Sequence, residues 1–189
     1  RQYRKKAPAI WCPECETAIS QVETEDAERA SHFNDITFAV TSTDAAEAVE
    51  IATTRPELLP ACVALFIHPD DERVNTLVGE EVAVPIFGHT VPVLADDRVD
   101  AETGTGVVMC CTFGDQTDIE WYQAHDLPLR LAIDESGTLT DVAAGYAGLS
   151  AAAAREAIVA DLDAAGALAD RRPITHTVNV HERCGTGIE

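Results

Sequence analysis

The chain carries two short ligand pairs near its opposite ends, Cys12-Pro13-Glu14-Cys15 and His181-Glu182-Arg183-Cys184. Two residues separate the ligands in each pair, the spacing of a tight knuckle that grips one ion. Three thiolates and one imidazole form a closed tetrahedral set, which suits structural zinc and leaves no position for a catalytic water. A single ion shared by Cys12, Cys15, His181 and Cys184 forces both chain ends to one place, whatever the segment between them does. Chance burial is the alternative for any cysteine. Cys62, Cys110 and Cys111 lie inside apolar runs, so core packing is expected for them and a nucleophilic role is not.

Between the pairs, short β-like runs alternate with few helical ones. Residues 10–23 read as the knuckle and a short strand. Phe33–Val40 and Ala48–Thr53 read as strands around a polar turn at Ser42–Ala46, and Cys62–His68 as a strand entered through Pro56–Pro60. Asp70–Val78 reads as a short helix stopped by Gly79, and Glu81–Phe87 with Thr90–Leu94 as a hairpin through Gly88-His89. Val107–Thr112 is a strand, Asp115–His125 a helix, and Pro128–Ile133 a further strand. The clearest helix runs from Ser150 to about Leu168, with Ser150 as N-cap and Ala154, Ile158, Leu162 and Ala165 as its apolar stripe. Ile174–Val180 returns as a strand. Many strands without a βαβ repeat predict an α+β, barrel-like mixed sheet with inserted helices on a zinc-ribbon base. At 189 residues one well-buried unit is expected. Residues 1–30 and 172–189 are expected to form the base, and 31–171 the barrel.

Charge narrows the partners. Asp and Glu number 33 against 13 Lys and Arg, a formal charge of -20, and the only lysines are Lys5 and Lys6. Such a surface reads as adaptation to concentrated salt, because at about 1 M the Debye length falls to roughly 3 Å and self-repulsion is screened. It argues against strong nonspecific nucleic-acid binding, which depends on neutralising phosphates. The only basic cluster, Arg1, Arg4, Lys5 and Lys6, reads as a solvated terminus. No transmembrane run or signal peptide is found; the longest apolar stretch, Ala61–Ile67, has strand length. With no initiating Met and an end in mid-motif, the chain reads as a segment of a longer cytoplasmic protein.

Two stretches carry candidate chemistry. Thr53-Thr54-Arg55-Pro56-Glu57 ends one apolar run with hydroxyls and a guanidinium. Gly104-Thr105-Gly106 opens another that leads to Asp115 and Asp118. The i, i+3 spacing puts both aspartates on one face at the positive end of a helix, where acidic residues are also common simply as dipole partners. No G-x-S-x-G and no P-loop is present.

Ile51-Ala52-Thr53-Thr54-Arg55-Pro56-Glu57-Leu58-Leu59-Pro60-Ala61-Cys62 resembles the threonine-rich strand of the editing domains inserted into valyl-, isoleucyl- and leucyl-tRNA synthetases, in its valyl form. The segments 68–73, 85–88, 91–93 and 104–106 continue the likeness in order, and 111–121 is similar to the archaeal valyl type. The resemblance spans nearly the whole chain, with the zinc-like pairs flanking it as in that family. It implies hydrolysis of threonine mischarged to tRNA(Val), with the tRNA 3′ end and a parent synthetase body as partners. The implied catalytic set is Asp118 on the substrate α-ammonium, Asp115 near its side chain, and Thr53 and Thr54 lining the pocket. Arg55, Glu57, Thr105, Cys111 and Thr112 are the implied substrate contacts, with Glu120 a secondary candidate. Leu58, Met109 and Cys111 depart from the bacterial valyl pattern, where threonine, lysine and threonine stand. The ATP-site signatures of a synthetase, H-x-G-H and K-M-S-K-S, are absent, so neither ATP nor Mg is expected to serve this segment. A zinc-stapled tRNA- or protein-binding module without catalysis, and an isoleucyl- or leucyl-type editing domain, are the alternatives.

Overall fold

The computed structural model describes residues 8–41 and 48–188. The basic cluster at Arg1–Lys6 and the expected turn at Ser42–Ala46 lie outside them. Nine strands follow in chain order: β1 (Trp11–Cys12), β2 (Thr17–Ala18), β3 (Thr24–Val40), β4 (Ala48–Thr53), β5 (Ala64–Ile67), β6 (Glu81–Ala83), β7 (Thr90–Ala95), β8 (Val107–Cys110) and β9 (Leu168–His181). Three α-helices are interspersed: α1 (Val74–Leu77), α2 (Gln116–Ala124) and α3 (Ala151–Ala164). Short 3₁₀ segments occupy Gln21–Glu23, Pro56–Ala61 and Asp141–Tyr146.

β1 and β2 pair as a small ribbon. The main sheet runs β4-β3-β6-β7-β5-β8, with β9 also on β3. Among the described residues only β5 and β7 pair in parallel. β3 is long enough to serve two structures. Its residues Thr24–Ile36 pair with β9, while Asn34–Ala39 pair with β4 and Ala39–Val40 with β6. A register shift at Asp35/Ile36 marks the bend where the ribbon turns into the sheet. The sheet curls until the lead-in to β8 meets β4, where the Thr105 hydroxyl donates to the Glu50 carbonyl at 2.6 Å. The result is the mixed α+β half-barrel that the sequence predicts.

Strand alternation builds the core. Ile36, Phe38 and Val40 on β3 face the same interior as Val49 and Ile51 on β4. β5 is buried at all four positions and divides its side chains. Leu65 and Ile67 enter the main core, while Ala64 and Phe66 enter a second one, where Phe66 stacks on Trp121 of α2 at 4.3 Å. α3 closes the main core with Ala154, Ile158 and Leu162 and packs on the Pro56–Ala61 segment.

Several expected elements differ. The strand expected over Glu81–Phe87 stops at Ala83, and those expected over Phe33–Val40 and Ile174–Val180 extend to Thr24–Val40 and Leu168–His181. The helix from Ser150 ends at Ala164, not near Leu168, and Ala165 is an exposed C-cap rather than part of the stripe, its place being taken by Val159. Gly166, at φ +70, donates to the Asp163 carbonyl, and Ala167 donates to the Leu162 carbonyl. This is a Schellman ending, which satisfies the last carbonyls and frees Leu168 to begin β9. The expected Asp70–Val78 helix is a single turn, because the Asp71 carboxylate takes both the Arg73 backbone N–H at 2.8 Å and its guanidinium. That local bond competes with helical hydrogen bonding. Pro128–Ile133 is not a strand. It has one isolated bridge, Ile133 to Leu139, and is otherwise held by Thr140, which donates to the Leu131 and Ala132 carbonyls, and by Arg130, which bonds Thr112 and Pro60.

Ile158 is fully buried beneath the sheet. Ile158→Ala is expected to cost about 2–5 kcal/mol, read as a lower denaturation midpoint in high salt. A loss under 1 kcal/mol would show that α3 is not integral to the core.

Candidate active site and metal centre

β8 ends under a broad groove, and the chain then turns sharply into α2. Thr112 makes that turn with φ +36, uncommon for a β-branched residue, and is 1% exposed with its hydroxyl accepting the Arg130 backbone N–H at 3.2 Å. Asp115 is the N-cap of α2, its Oδ1 accepting the Asp118 backbone N–H at 2.8 Å. Asp118 points back under the turn, where Oδ2 accepts the Cys111 N–H at 3.2 Å. Gly114 makes this approach possible: a Cβ there would lie 2.5 Å from Asp118 Oδ2.

Asp118 is 5% exposed, and no cationic side chain lies within ion-pair distance of it among the described residues. Burial pushes its carboxyl up to about 6, and the neighbouring Asp115 charge adds to the rise, while the N–H groups of Cys111 and Gly114 oppose it. Cys111, Gly114 and Asp115 line the groove, and Asp118 lies beside them without lining it itself. Cys110 and Cys111 are buried, and desolvation together with the Asp118 charge drives both thiols upward, so they stay neutral.

The other candidates are distributed around this point. Thr54, Arg55, Cys111 and Asp115 line the groove together with Leu58 and Gly114. Thr53 sits at the end of β4 with its hydroxyl accepting the Arg55 N–H at 3.0 Å. Glu57 is fully buried, held by Arg155 at 2.8 and 2.6 Å and by Arg55 at 3.2 Å. The Thr105 hydroxyl is committed to backbone, donating to the Glu50 carbonyl of β4 at 2.6 Å. Glu120 lies on the solvent side of α2, against Arg98 at 3.4 Å. Sequence reasoning missed Arg155 and Arg130. Arg155 interrupts an alanine run on α3 and meets Glu57 across 98 positions, which no local pattern announces.

The two end pairs converge as expected. One ligand atom from each of Cys12, Cys15, His181 and Cys184 lies within 4.8 Å of all the others. Cys12 Sγ is 3.5 Å from Cys184 Sγ, Cys15 Sγ is 3.8 Å from Cys184 Sγ, and His181 Nδ1 is 3.4–3.5 Å from the sulfurs of Cys184 and Cys15. A tetrahedral ion with bonds of about 2.3 Å to sulfur and about 2.0 Å to nitrogen requires edges of roughly 3.5–3.8 Å. The donor set therefore fits such a metal. Nδ1 is the ring nitrogen of His181 turned to the cluster, and Nε2 is buried without a hydrogen-bond partner among the described residues.

The half-barrel fold recurs in the LeuRS–tRNA–LeuAMS ternary complex from Agrobacterium radiobacter, with a TM-score of 0.56 and 20% identity over 83% of this chain and 21% of that one. The family described as "Leucyl-tRNA synthetase, editing domain" matches residues 68–163, and the chain belongs to that family of synthetase editing domains. Over full length the likeness is to valine ligases. Identity is 61% to the Valine--tRNA ligase of Haloarcula marismortui, over 100% of this chain and 22% of that enzyme. It is 50% to the Valine--tRNA ligase of Methanocaldococcus jannaschii, over 99% and 21%. The chain thus spans about a fifth of the length of these relatives, and the likeness to Haloarcula agrees with a salt-adapted acidic surface.

Gly114→Ala should push the Asp118 carboxylate out of its pocket. An NMR titration of that carboxyl is expected to show its midpoint falling from about 6 toward the ordinary value of about 4. An unchanged midpoint would mean that the glycine does not hold the pocket open.

Proposed function

We propose that this chain is the post-transfer editing domain of a valyl-tRNA synthetase, hydrolysing Thr-tRNA(Val) to threonine and free tRNA. The observation that carries the proposal is Asp118, a buried carboxylate without a counter-ion among the described residues, beside a broad groove. The α-ammonium group of an aminoacyl ester supplies the missing cation, and ion pairing there fixes the ester carbonyl for attack by water. Asp115, with one oxygen on the Asp118 N–H, uses its other oxygen to accept from the threonine hydroxyl. Thr53, Thr54 and Arg55 meet the terminal adenosine and the ester. Cys111 contributes its N–H to Asp118 and Thr112 its strained turn. Glu57 acts through Arg55 and Arg155 rather than by touching substrate. Thr105 supports the loop, and Glu120 supports α2 from outside.

A second site answers a limit of the first. Apolar pockets reject an added hydroxyl poorly, and valyl enzymes facing threonine are the standing example, at about a hundredfold. A pocket that hydrogen-bonds the hydroxyl reverses the preference, because valine leaves its polar groups unpaired. An aspartate paired to an ammonium is a weak base, so proton transfer is assigned to the vicinal ribose hydroxyl of the substrate. This segment needs no ATP or Mg, and it works in the cytoplasm on the body of its parent enzyme. The leucyl description of the matching family favours a leucyl-type substrate as second reading, but full-length identity of 61% to a valine ligase weighs against it. A binding module without catalysis is the remaining alternative.

In molar salt the chain should deacylate Thr-tRNA(Val) and spare Val-tRNA(Val), and Asp118→Ala should abolish the reaction while keeping the fold. Equal loss of both amino acids would refute selective editing. The rate at subsaturating substrate should rise through about pH 6 as Asp118 ionises and fall near pH 8 as the substrate amine loses its proton (about 7.7–8.0). Asp115→Asn keeps a helix cap but removes a charge that raises Asp118, so its acid limb should move to lower pH.

The base, residues 1–30 and 172–189, is proposed to hold one structural zinc through Cys12, Cys15, His181 and Cys184. Zinc there supplies a crosslink of the two chain ends and no chemistry to the ester. Chelation is expected to lower the melting temperature and to erase amide protection around β1, β2 and His181, while the Ile36–Val40 core keeps its protection. A folded chain that takes up no zinc overturns this assignment.

A further inference from the structure

One short segment gathers arginines from three parts of the chain onto the wall of the groove. The 3₁₀ turn Pro56–Ala61 is preceded by Arg55, whose Nε donates to Glu57. Arg155 reaches the same carboxylate from α3 with two hydrogen bonds. Arg130 comes from the irregular 128–133 strap, and its Nε donates to the Pro60 carbonyl at 3.0 Å. All three line the groove with Asp115 and Gly114. Such a gathering is conspicuous in a chain with 33 acidic and 13 basic residues.

Arg130 differs from the other two. It donates from its side chain to a backbone carbonyl and from its own backbone N–H to the Thr112 hydroxyl, and no carboxylate lies within ion-pair distance of it among the described residues. Glu57, by contrast, is buried completely to hold two guanidiniums in place. Leu58, on the same turn, packs next to Gly114, within 3.4 Å of where a Cβ there would lie, which sets the arginine wall beside the Asp118 turn.

We propose that Arg130, flanked by Arg55 and Arg155, is a phosphodiester-binding site for the 5′-phosphate of the terminal nucleotide. The inference rests on the editing reading and extends it to the nucleotide end of the substrate. A 3′-aminoacyl nucleotide is bipolar, with an ammonium at one end and a phosphodiester at the other. Asp118, beneath the Cys111 and Gly114 that line the groove, offers a carboxylate for the first, and the arginines on the wall offer guanidiniums for the second, so charge alone sets the direction in which the RNA end lies. A guanidinium fork suits a phosphate by two parallel hydrogen bonds. A contact at this range survives molar salt, where longer-range attraction does not.

The probe is 5′-AMP against adenosine, molecules that differ only by the phosphate, with affinities measured by NMR titration in high salt. The wild-type chain is expected to prefer 5′-AMP by about tenfold, the worth of one charge-assisted contact. Arg130→Ala should bring the ratio to about one, and Arg130→Gln, which keeps a donor near the Pro60 carbonyl without the charge, should do the same if the alanine variant unfolds. No preference in the wild type, or a preference kept by both variants, overturns the site. Parallel assays of Thr-tRNA(Val) deacylation separate the two ideas. Preference for 5′-AMP without hydrolysis removes the editing reading and leaves the phosphate site standing, and hydrolysis without the preference does the reverse.

Discussion

Everything in this domain hangs on the pairing of β3 with β9. From Thr24 opposite His181 to Ile36 opposite Leu168, the ladder ties the first quarter of the chain to the last. One end of it sets His181 and Cys184 against Cys12 and Cys15. The other delivers Asn34, Ile36 and Phe38 to the sheet, where β4 pairs and presents Thr53. Along the ribbon most side chains are exposed or half-buried, so little apolar area holds its outer half together, and two-stranded ribbons are marginal in water. The metal crosslink proposed at the open end, through Cys12, Cys15, His181 and Cys184, would supply what packing does not.

Two carboxylates show how the site is built electrostatically. Glu57 and Asp118 are both buried, and burying a charge is costly unless it is paired. Glu57 receives two guanidiniums and becomes part of the scaffold. Asp118 receives backbone N–H groups and no cation among the described residues, so its carboxyl rises from the usual 3.8 to about 6. That rise has a definite sign: the fold binds the proton more tightly than the unfolded chain, so Asp118 costs nothing below about pH 4 and weakens the fold progressively up to about pH 6. In the proposed function a cation arriving from the groove would reverse that penalty, so the cost of burying Asp118 and its affinity for an ammonium group would be one property.

Support for that carboxylate comes from local backbone geometry. Thr112 holds a left-handed conformation, Gly114 leaves room for Oδ2, and Asp115 caps the helix on which Asp118 rides. The far end of α2 is anchored separately, by Trp121 stacked on Phe66 and by His125 on Asp96 at 2.9 Å. Between these anchors the helix has little freedom to carry Asp118 away from the turn.

Sequence alone determined what depends on neighbours along the chain. The ligand spacing in the two end pairs, the alternation in β3 and β4, the Ser150 cap and the i, i+4 stripe Ala154, Ile158 and Leu162 are all readable, because strand and helix periods impose them locally. Asp115 and Asp118 were also readable as a pair on a helix start. Tertiary structure decided what depends on partners distant in sequence. Pro128–Ile133 looked like a strand but found no ladder, and α3 stopped at Gly166 so that Leu168 could pair with β3. Which buried charge is paired was decided the same way. Glu57 is paired because Arg155 comes from 98 residues away, and Asp118 is unpaired because nothing basic among the described residues reaches it. Burial and pairing are set by the whole fold, and no local spacing encodes them.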